Sequence, residues 1–379
     1  MEEKIKKIAI VAGEASSDMH AAHLVEALKK QSPHIEFFGL GGKKMQAAGV
    51  LIFYNLVDLA VVGFFEVLKN YSTFKKIFND FLKEIDEIKP DCVILIDYPG
   101  FNMRLAKELK KREIRVIYYI SPQVWAWGKE RIALIKKYVD KMIVIFKFEE
   151  ELYQQHGINV SFVGHPLMES IKVTTEKEQF LKRAGLSEKN ITIGLLPGSR
   201  QREIKALLPA MLKAASIISQ KMKNAQFIVL QSPTLPDELV KIHTSGYNLP
   251  LRIIRDDTYN GINASDIVIS ASGTATLETA ILKKPLIVVY KVSFLTWLIA
   301  KSIIKLPYIG LVNVVAQKKL MPELIQYQAT AENIADEAMR LISDKHGIKT
   351  IKKELDSLQD SLGKPGASQR AAQIIAGLV

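Results

Sequence analysis

One cysteine, Cys92, occurs in 379 residues, which excludes an internal disulfide framework and any C-x-x-C metal or redox site. Its apolar setting, Cys92-Val93-Ile94-Leu95-Ile96, predicts a buried strand residue. Low-complexity tracts are missing, and so is any repeat at a period of roughly 20–50 residues. Neither Gly13-Glu14-Ala15 nor Gly39-Leu40-Gly41-Gly42 completes a G-x-G-x-x-G fingerprint, and no G-x-x-x-x-G-K-[ST] occurs. A dehydrogenase and a P-loop ATPase are therefore disfavoured. There is no D-x-D and no H-E-x-x-H, and the seven histidines are scattered, so neither a metal nor another cofactor is expected. Zinc-finger spacing, a helix-turn-helix and aromatic RNA-binding signatures are lacking too, which argues against a nucleic-acid partner. The charged start, Met1-Glu2-Glu3-Lys4, runs straight into a strand pattern; no signal peptide and a cytoplasmic protein are the expectation.

Against these absences stands a basic balance of 52 Lys and Arg over 40 Asp and Glu, net +12. Such a charge suits an anionic membrane surface or a phosphorylated substrate. Two apolar segments favour the membrane. Leu56 to Phe65, with Val61, Val62, Phe64 and Phe65, is too short to span a bilayer and carries Asp58. It precedes a helix with Phe74, Ile77, Phe78, Phe81, Leu82, Ile85 and Ile88 at amphipathic spacing. The second, Val292 to Leu306, holds Phe294, Trp297 and Leu298 with Lys301 and Lys305, and Pro307 stops it. Lysine on one side and Phe, Trp and Leu on the other can lie in a headgroup layer. A core or dimer-interface helix is the alternative for either segment.

The length predicts two domains. In the first half, near-continuous apolar runs at Lys6 to Ala12, Ile35 to Phe38, Asp91 to Ile96, Arg115 to Ile120 and Lys141 to Phe146 alternate with helical patterns. The second half repeats the scheme at Ile191 to Leu196, Gln226 to Leu230, Leu251 to Arg255, Ile267 to Ser270 and Pro285 to Tyr290. This is the signature of parallel, doubly wound sheets. The expected fold is α/β, two Rossmann-like domains facing a cleft. Residues 1–170 would form the first domain, joined by a C-terminal helix over 367–379, and 171–366 the second. Ligands of such sheets sit at the carboxyl ends of strands.

The motifs at those ends point to chemistry. Leu196-Pro197-Gly198-Ser199-Arg200 breaks a strand and leads into a helix. Gly198 and Ser199 offer main-chain donors and Arg200 a planar fork suited to a diphosphate. Ser272-Gly273-Thr274 opens another helix and offers more phosphate donors, and Glu278, one turn on, suits two ribose hydroxyls. Asn313 and Gln317 would share a helical face nearby, with the next helix beginning at Pro322-Glu323. In the first half, Asp97 follows five apolar residues and precedes Tyr98-Pro99-Gly100-Phe101-Asn102. With Asn102 as the natural helix N-cap, Asp97 is left free to take a proton from an attacking hydroxyl. Glu14 lies at the first strand's tip, whereas Asp18 reads as a cap of the helix that follows. Ser121-Pro122-Gln123-Val124-Trp125-Ala126-Trp127 places two tryptophans in a loop, either packed beneath it or lining a sugar or acyl pocket.

These stretches, with Phe162-Val163-Gly164-His165-Pro166, resemble the bacterial lipid-A-disaccharide synthases in one order from the first strand to about residue 330. The resemblance implies an inverting, metal-independent glycosyltransferase of the GT-B fold. It implies transfer of 2,3-diacylglucosamine from UDP-2,3-diacylglucosamine to 2,3-diacylglucosamine 1-phosphate, giving the β-1,6 disaccharide of lipid A and UDP. Asp97 matches the family's proposed base, and Glu14 a glutamate implicated in activity. Arg200 and Glu278 match its UDP site, with Asn313 near it. Peripheral attachment to the inner face of the inner membrane is implied, and a homodimer is compatible with it. Ser17 departs from the glycine of many members, which touches only local loop shape. Another nucleotide-sugar transferase, or a UDP-sugar epimerase of the same fold, is the competing reading.

Overall fold

The computed structural model describes residues 5–60, 71–125, 130–293, 297 and 307–379. The chain divides into two compact units, Met1–Glu169 with Leu362–Val379, and Ser170–Ser361. Each is built on one all-parallel sheet.

In the first unit the strands are β1 (Lys6–Ala12), β2 (Ile35–Gly41), β3 (Leu51–Asn55), β4 (Cys92–Ile96), β5 (Arg115–Tyr119), β6 (Lys141–Val144) and β7 (Val160–Phe162). Their order is β3-β2-β1-β4-β5-β6-β7. Residues Ile8 to Ala12 and all of β4, Cys92 included, are fully buried, as expected when helices cover both faces of a parallel sheet. The helix Tyr71–Ile88 turns Ile77, Phe81, Leu82 and Ile85 into this core. Its apolar stripe therefore packs against the sheet, and Phe74, Phe78 and Ile88 lie partly buried on the same cluster. The C-terminal helix Ala367–Ala376 packs on the helix Ala15–Gln31.

The second unit holds β8 (Ile191–Leu196), β9 (Ala225–Gln231), β10 (Leu251–Arg255), β11 (Ile267–Ala271), β12 (Leu286–Tyr290) and β13 (Glu323–Ile325). They lie in the order β10-β9-β8-β11-β12-β13. β3, whose burial shows no clean alternation, has no counterpart among the strands expected from the sequence, and Glu323–Ile325 extends an edge where a helix was expected. Glu323 pairs with Val288 across that edge, so sheet pairing overrides local helix preference.

Strand order reverses between β1 and β4 in one sheet and between β8 and β11 in the other. Ligands of open α/β sheets bind outside the carboxyl ends at such a switch point. Ala12 is level with Ile96, and Leu196 with Ser270. The first switch point thus carries Gly13, Glu14 and Asp97; the second carries Gly198 to Arg200 and Ser272 to Thr274.

Candidate active site

At the first switch point the chain leaves β4 through two successive left-handed residues, Asp97 (φ 47°) and Tyr98 (φ 48°). For residues with a Cβ, that conformation costs roughly 1–2 kcal/mol each, so the surroundings must impose it. The Asp97 carbonyl accepts from Asn102 Nδ2 at 2.8 Å and from the Tyr118 hydroxyl at 2.5 Å. Asn102 Nδ2 also reaches the Ile96 carbonyl at 3.2 Å, and Asp97 N–H donates to the Tyr119 carbonyl. Asn102 is therefore not the N-cap. Pro99, with φ preset for a first helical position, starts the helix Pro99–Lys110 three residues earlier. Asn102 lies fully buried within it and clamps the turn from behind. Tyr98 closes over β1: a Cβ on Gly13 would fall 2.3 Å from its ring.

That clamp leaves the Asp97 carboxyl desolvated. Burial, then the negative charge of Glu14, push it up from 3.8 to about 6, against the opposing pull of the Tyr98 N–H. Glu14 itself is exposed, at the N-cap of the helix Ala15–Gln31. Its N–H donates to Ser17 Oγ at 3.0 Å, which gives the buried Ser17 a local role. Asp18 does not cap its own helix. Its carboxylate accepts from the N–H groups of Gly42, Lys44 and Met45 and so caps the helix Lys43–Ala47.

Beside this turn, Trp125 Nε1 donates to Glu149 Oε1 at 3.1 Å, and its ring meets Phe148 edge-on at 5.6 Å. Glu149 is 2% exposed, and burial drives its carboxyl up to about 8. At neutral pH it is largely a neutral acid beneath the loop. Trp127 lies outside the described residues.

At the second switch point a cavity of about 650 Å³ is lined by Gly198, Ser199, Arg200, Ser272, Gly273, Thr274 and Glu278. Leu230, Ser232, Pro233, Asp256, Thr258 and Tyr259 complete much of its wall. Gly198 takes φ 114°, open only to glycine. The N–H groups of Ser199 and Arg200 do not point freely outward. Both donate to Glu203 Oε2, at 2.9 and 3.3 Å, and the Arg200 guanidinium, 65% exposed, lies 3.6 Å from Glu203 Oε1. Glutamate three residues after an N-cap is a recognised capping partner, a signal that was present in Arg200-Gln201-Arg202-Glu203. Across the cavity, the helix Thr274–Ile281 begins after Gly273 (φ 144°), and the first N–H groups of a helix lack intrahelical acceptors. Burial raises the carboxyl of Glu278, and the Tyr259 hydroxyl donates to it at 3.3 Å.

The family described as lipid-A-disaccharide synthetase matches residues 8–377. The chain belongs to that family. It is 46% identical to the lipid-A-disaccharide synthase of Syntrophus aciditrophicus over 375 residues, covering 99% of this chain and 98% of that protein. In fold it is similar to the calicheamicin glycosyltransferase CalG4, with TM-score 0.65, 11% identity and 99% and 98% of the two chains covered. It is also similar to the Neisseria meningitidis UDP-GlcNAc 2-epimerase solved with UDP-GlcNAc, with TM-score 0.57, 13% identity and 98% and 99% covered. At that identity the likeness is one of fold. The full-length family match does not favour the epimerase alternative.

Two residues that the family resemblance and helical spacing pointed to do not line the cavity. Asn313 is fully buried. Its Nδ2 donates to the Met321 carbonyl and Glu323 Oε1, each at 2.8 Å, and its Oδ1 accepts from Met321 N–H. Glu323 in turn receives the N–H groups of Ile309 and Gly310. The amide is thus spent inside the unit. Gln317 does not share its face, because the helix Leu311–Ala316 ends there and Gln317 turns left-handed (φ 53°). Of the expected membrane contacts, Val61, Val62, Phe64, Phe65, Phe294 and Leu298 lie outside the described residues. Trp297 is half-buried and meets the Tyr327 ring edge-on at 5.7 Å. Among the described residues no helix is long and apolar enough to cross a membrane.

Proposed function

We propose that the second unit binds UDP-2,3-diacylglucosamine and that Asp97 of the first activates the acceptor, 2,3-diacylglucosamine 1-phosphate. The chain is a glycosyltransferase of lipid A disaccharide synthesis, as its family membership establishes. Substrates and residue roles are the proposal. The observation that carries it is the desolvated Asp97 carboxyl at the strand-order reversal, held at about 6. A general base works best with a pKa near the working pH.

In this reading Asp97 accepts the proton of the acceptor 6-hydroxyl while that oxygen attacks the anomeric carbon. The bond from that carbon to the diphosphate oxygen breaks on the opposite face, and its electron pair leaves with UDP. One displacement inverts the configuration. Arg200, the Ser199 hydroxyl and the donors of Gly198, Gly273 and Thr274 stabilise the charge on the departing diphosphate, and Glu278 holds the ribose. Ser272 is not a donor here, because its N–H and hydroxyl already donate to the Val289 and Ile309 carbonyls. Glu14 sustains the basicity of Asp97. Asn313 holds Glu323 against the N–H groups of Ile309 and Gly310 and is not proposed as a UDP contact. The basic charge and the apolar segments at 61–65 and 294–298 favour peripheral attachment to an anionic bilayer, on its cytoplasmic face.

Incubation with both monosaccharides should yield a disaccharide 1-phosphate by mass and release UDP. Asp97→Asn should bind UDP and lose turnover. Arg200→Ala should weaken UDP binding and lose about 10²–10³ in rate. Full activity in Asp97→Asn removes Asp97 as the base.

A further inference from the structure

Glu278 reaches the second unit's cavity from a helix whose neighbours are small or apolar, and among the described residues it receives one side-chain hydrogen bond, from Tyr259. Tyr259 is no part of the loop motifs. It sits in the first turn of the helix Thr258–Ala264, three residues after the left-handed Asp256 (φ 59°), and both residues line the same cavity. Burial and the adjacent Glu278 raise the phenol's pKa further above its usual value. The hydroxyl therefore stays protonated, and toward a carboxylate it can only donate.

We propose that Tyr259 is a positioning residue that fixes the Glu278 carboxylate for bidentate recognition of a ribose diol, and so sets preference for a ribonucleoside over a 2′-deoxyribonucleoside diphosphate. The inference rests on the donor-site reading above. An ionised carboxylate offers about four lone-pair positions. The bond to Oε1 occupies one and limits rotation about the last side-chain torsion, which is otherwise broad. Oε1 keeps a second lone pair and the other oxygen both of its own, so each oxygen can accept from one hydroxyl of the diol. Without the phenol, the carboxylate loses both its orientation and the one donor that favours its charged form, so it meets the 2′-hydroxyl less often in the accepting geometry.

The experiment is calorimetric titration of the full chain with UDP and with 2′-deoxy-UDP, for wild type, Tyr259→Phe, Glu278→Gln and the double variant. A hydrogen bond to a charged group predicts about 10–100-fold preference for UDP in the wild type. Tyr259→Phe should reduce it to about 3-fold or less while deoxy-UDP affinity changes little. In the Glu278→Gln background the tyrosine change should have no further effect on the ratio. A wild-type ratio retained in Tyr259→Phe overturns the proposal. So does a reduced ratio of equal size in the Glu278→Gln background, which would place the action of Tyr259 elsewhere. If wild type binds neither nucleotide, or binds both alike, the donor-site reading itself fails, an outcome distinct from failure of the tyrosine's role. Should Tyr259→Phe be poorly folded by thermal melt, Tyr259→Leu, which also removes the phenolic donor and leaves Glu278 intact, replaces it. The ratio should collapse likewise, and an unchanged ratio counts against the proposal.

Discussion

Asp97 can act as a base only while ionised, so kcat/KM should rise with pH through the value its surroundings impose. The carboxyl stands at about 6 in place of 3.8. A group at about 6 is roughly one-tenth ionised at pH 5 and nine-tenths at pH 7. An unperturbed aspartate is more than about nine-tenths ionised at both. The rate should therefore fall about tenfold between pH 7 and pH 5. The acceptor's phosphate complicates a bare profile, because its second proton also leaves near pH 6. Glu14 separates the two. Its charge is the second cause of the Asp97 shift, after burial, so Glu14→Gln should move the acidic limb down by about half a unit to one unit. The phosphate would not move. The assay is initial UDP release from pH 4.5 to 8 at subsaturating acceptor, for both proteins. A flat wild-type profile refutes the base, and a limb that stays in place in Glu14→Gln refutes the electrostatic coupling.

A raised acid pKa means the folded state holds its proton more tightly than the unfolded chain, so stability is lost as pH rises from 3.8 to about 6. Asp97→Asn should remove that cost and tolerate φ 47° better, gaining on the order of 2–3 kcal/mol at pH 7 by urea unfolding; an equal or less stable variant contradicts the assigned burial. Glu149 follows the same sign over a wider window. Wild type should lose stability between pH 4.5 and about 8, and Glu149→Gln should flatten that slope in melts while keeping an acceptor for Trp125. An unflattened slope would show that the acid ionises without cost. Asn102→Ala removes the amide donor from the carbonyls of Ile96 and Asp97, leaving Asp97 only the Tyr118 hydroxyl, and should destabilise by about 1–3 kcal/mol, with turnover falling while UDP affinity holds; loss of UDP binding instead would contradict its confinement to the first unit.

The periodicity of apolar runs was enough for two parallel α/β sheets, because a strand covered on both faces must be apolar throughout and its neighbours in sequence say so. The switch-point loops were legible for a related reason. A run of five buried residues with glycine or proline at its end or just beyond marks a strand end, as at Gly13, Asp97, Gly198 and Ser272. Local sequence also carried Glu203 in its spacing from Arg200. Other features needed the tertiary structure, because each is a sum over elements distant in the chain. The left-handed turn at Asp97 is imposed by Tyr118, Tyr119 and Asn102, from a neighbouring strand and the following helix. The pKa of Asp97 follows from how much of the first unit covers it. The amphipathic stripe of Tyr71–Ile88 has the same spacing whether it meets lipid or a sheet, and only packing assigned it to the sheet. Nothing local to Asn313 reports that Met321 and Glu323 consume its amide, and Tyr259 belongs to no motif. Hydrophobic pattern is a local property of a chain; desolvation and hydrogen-bond satisfaction are properties of what folds against it.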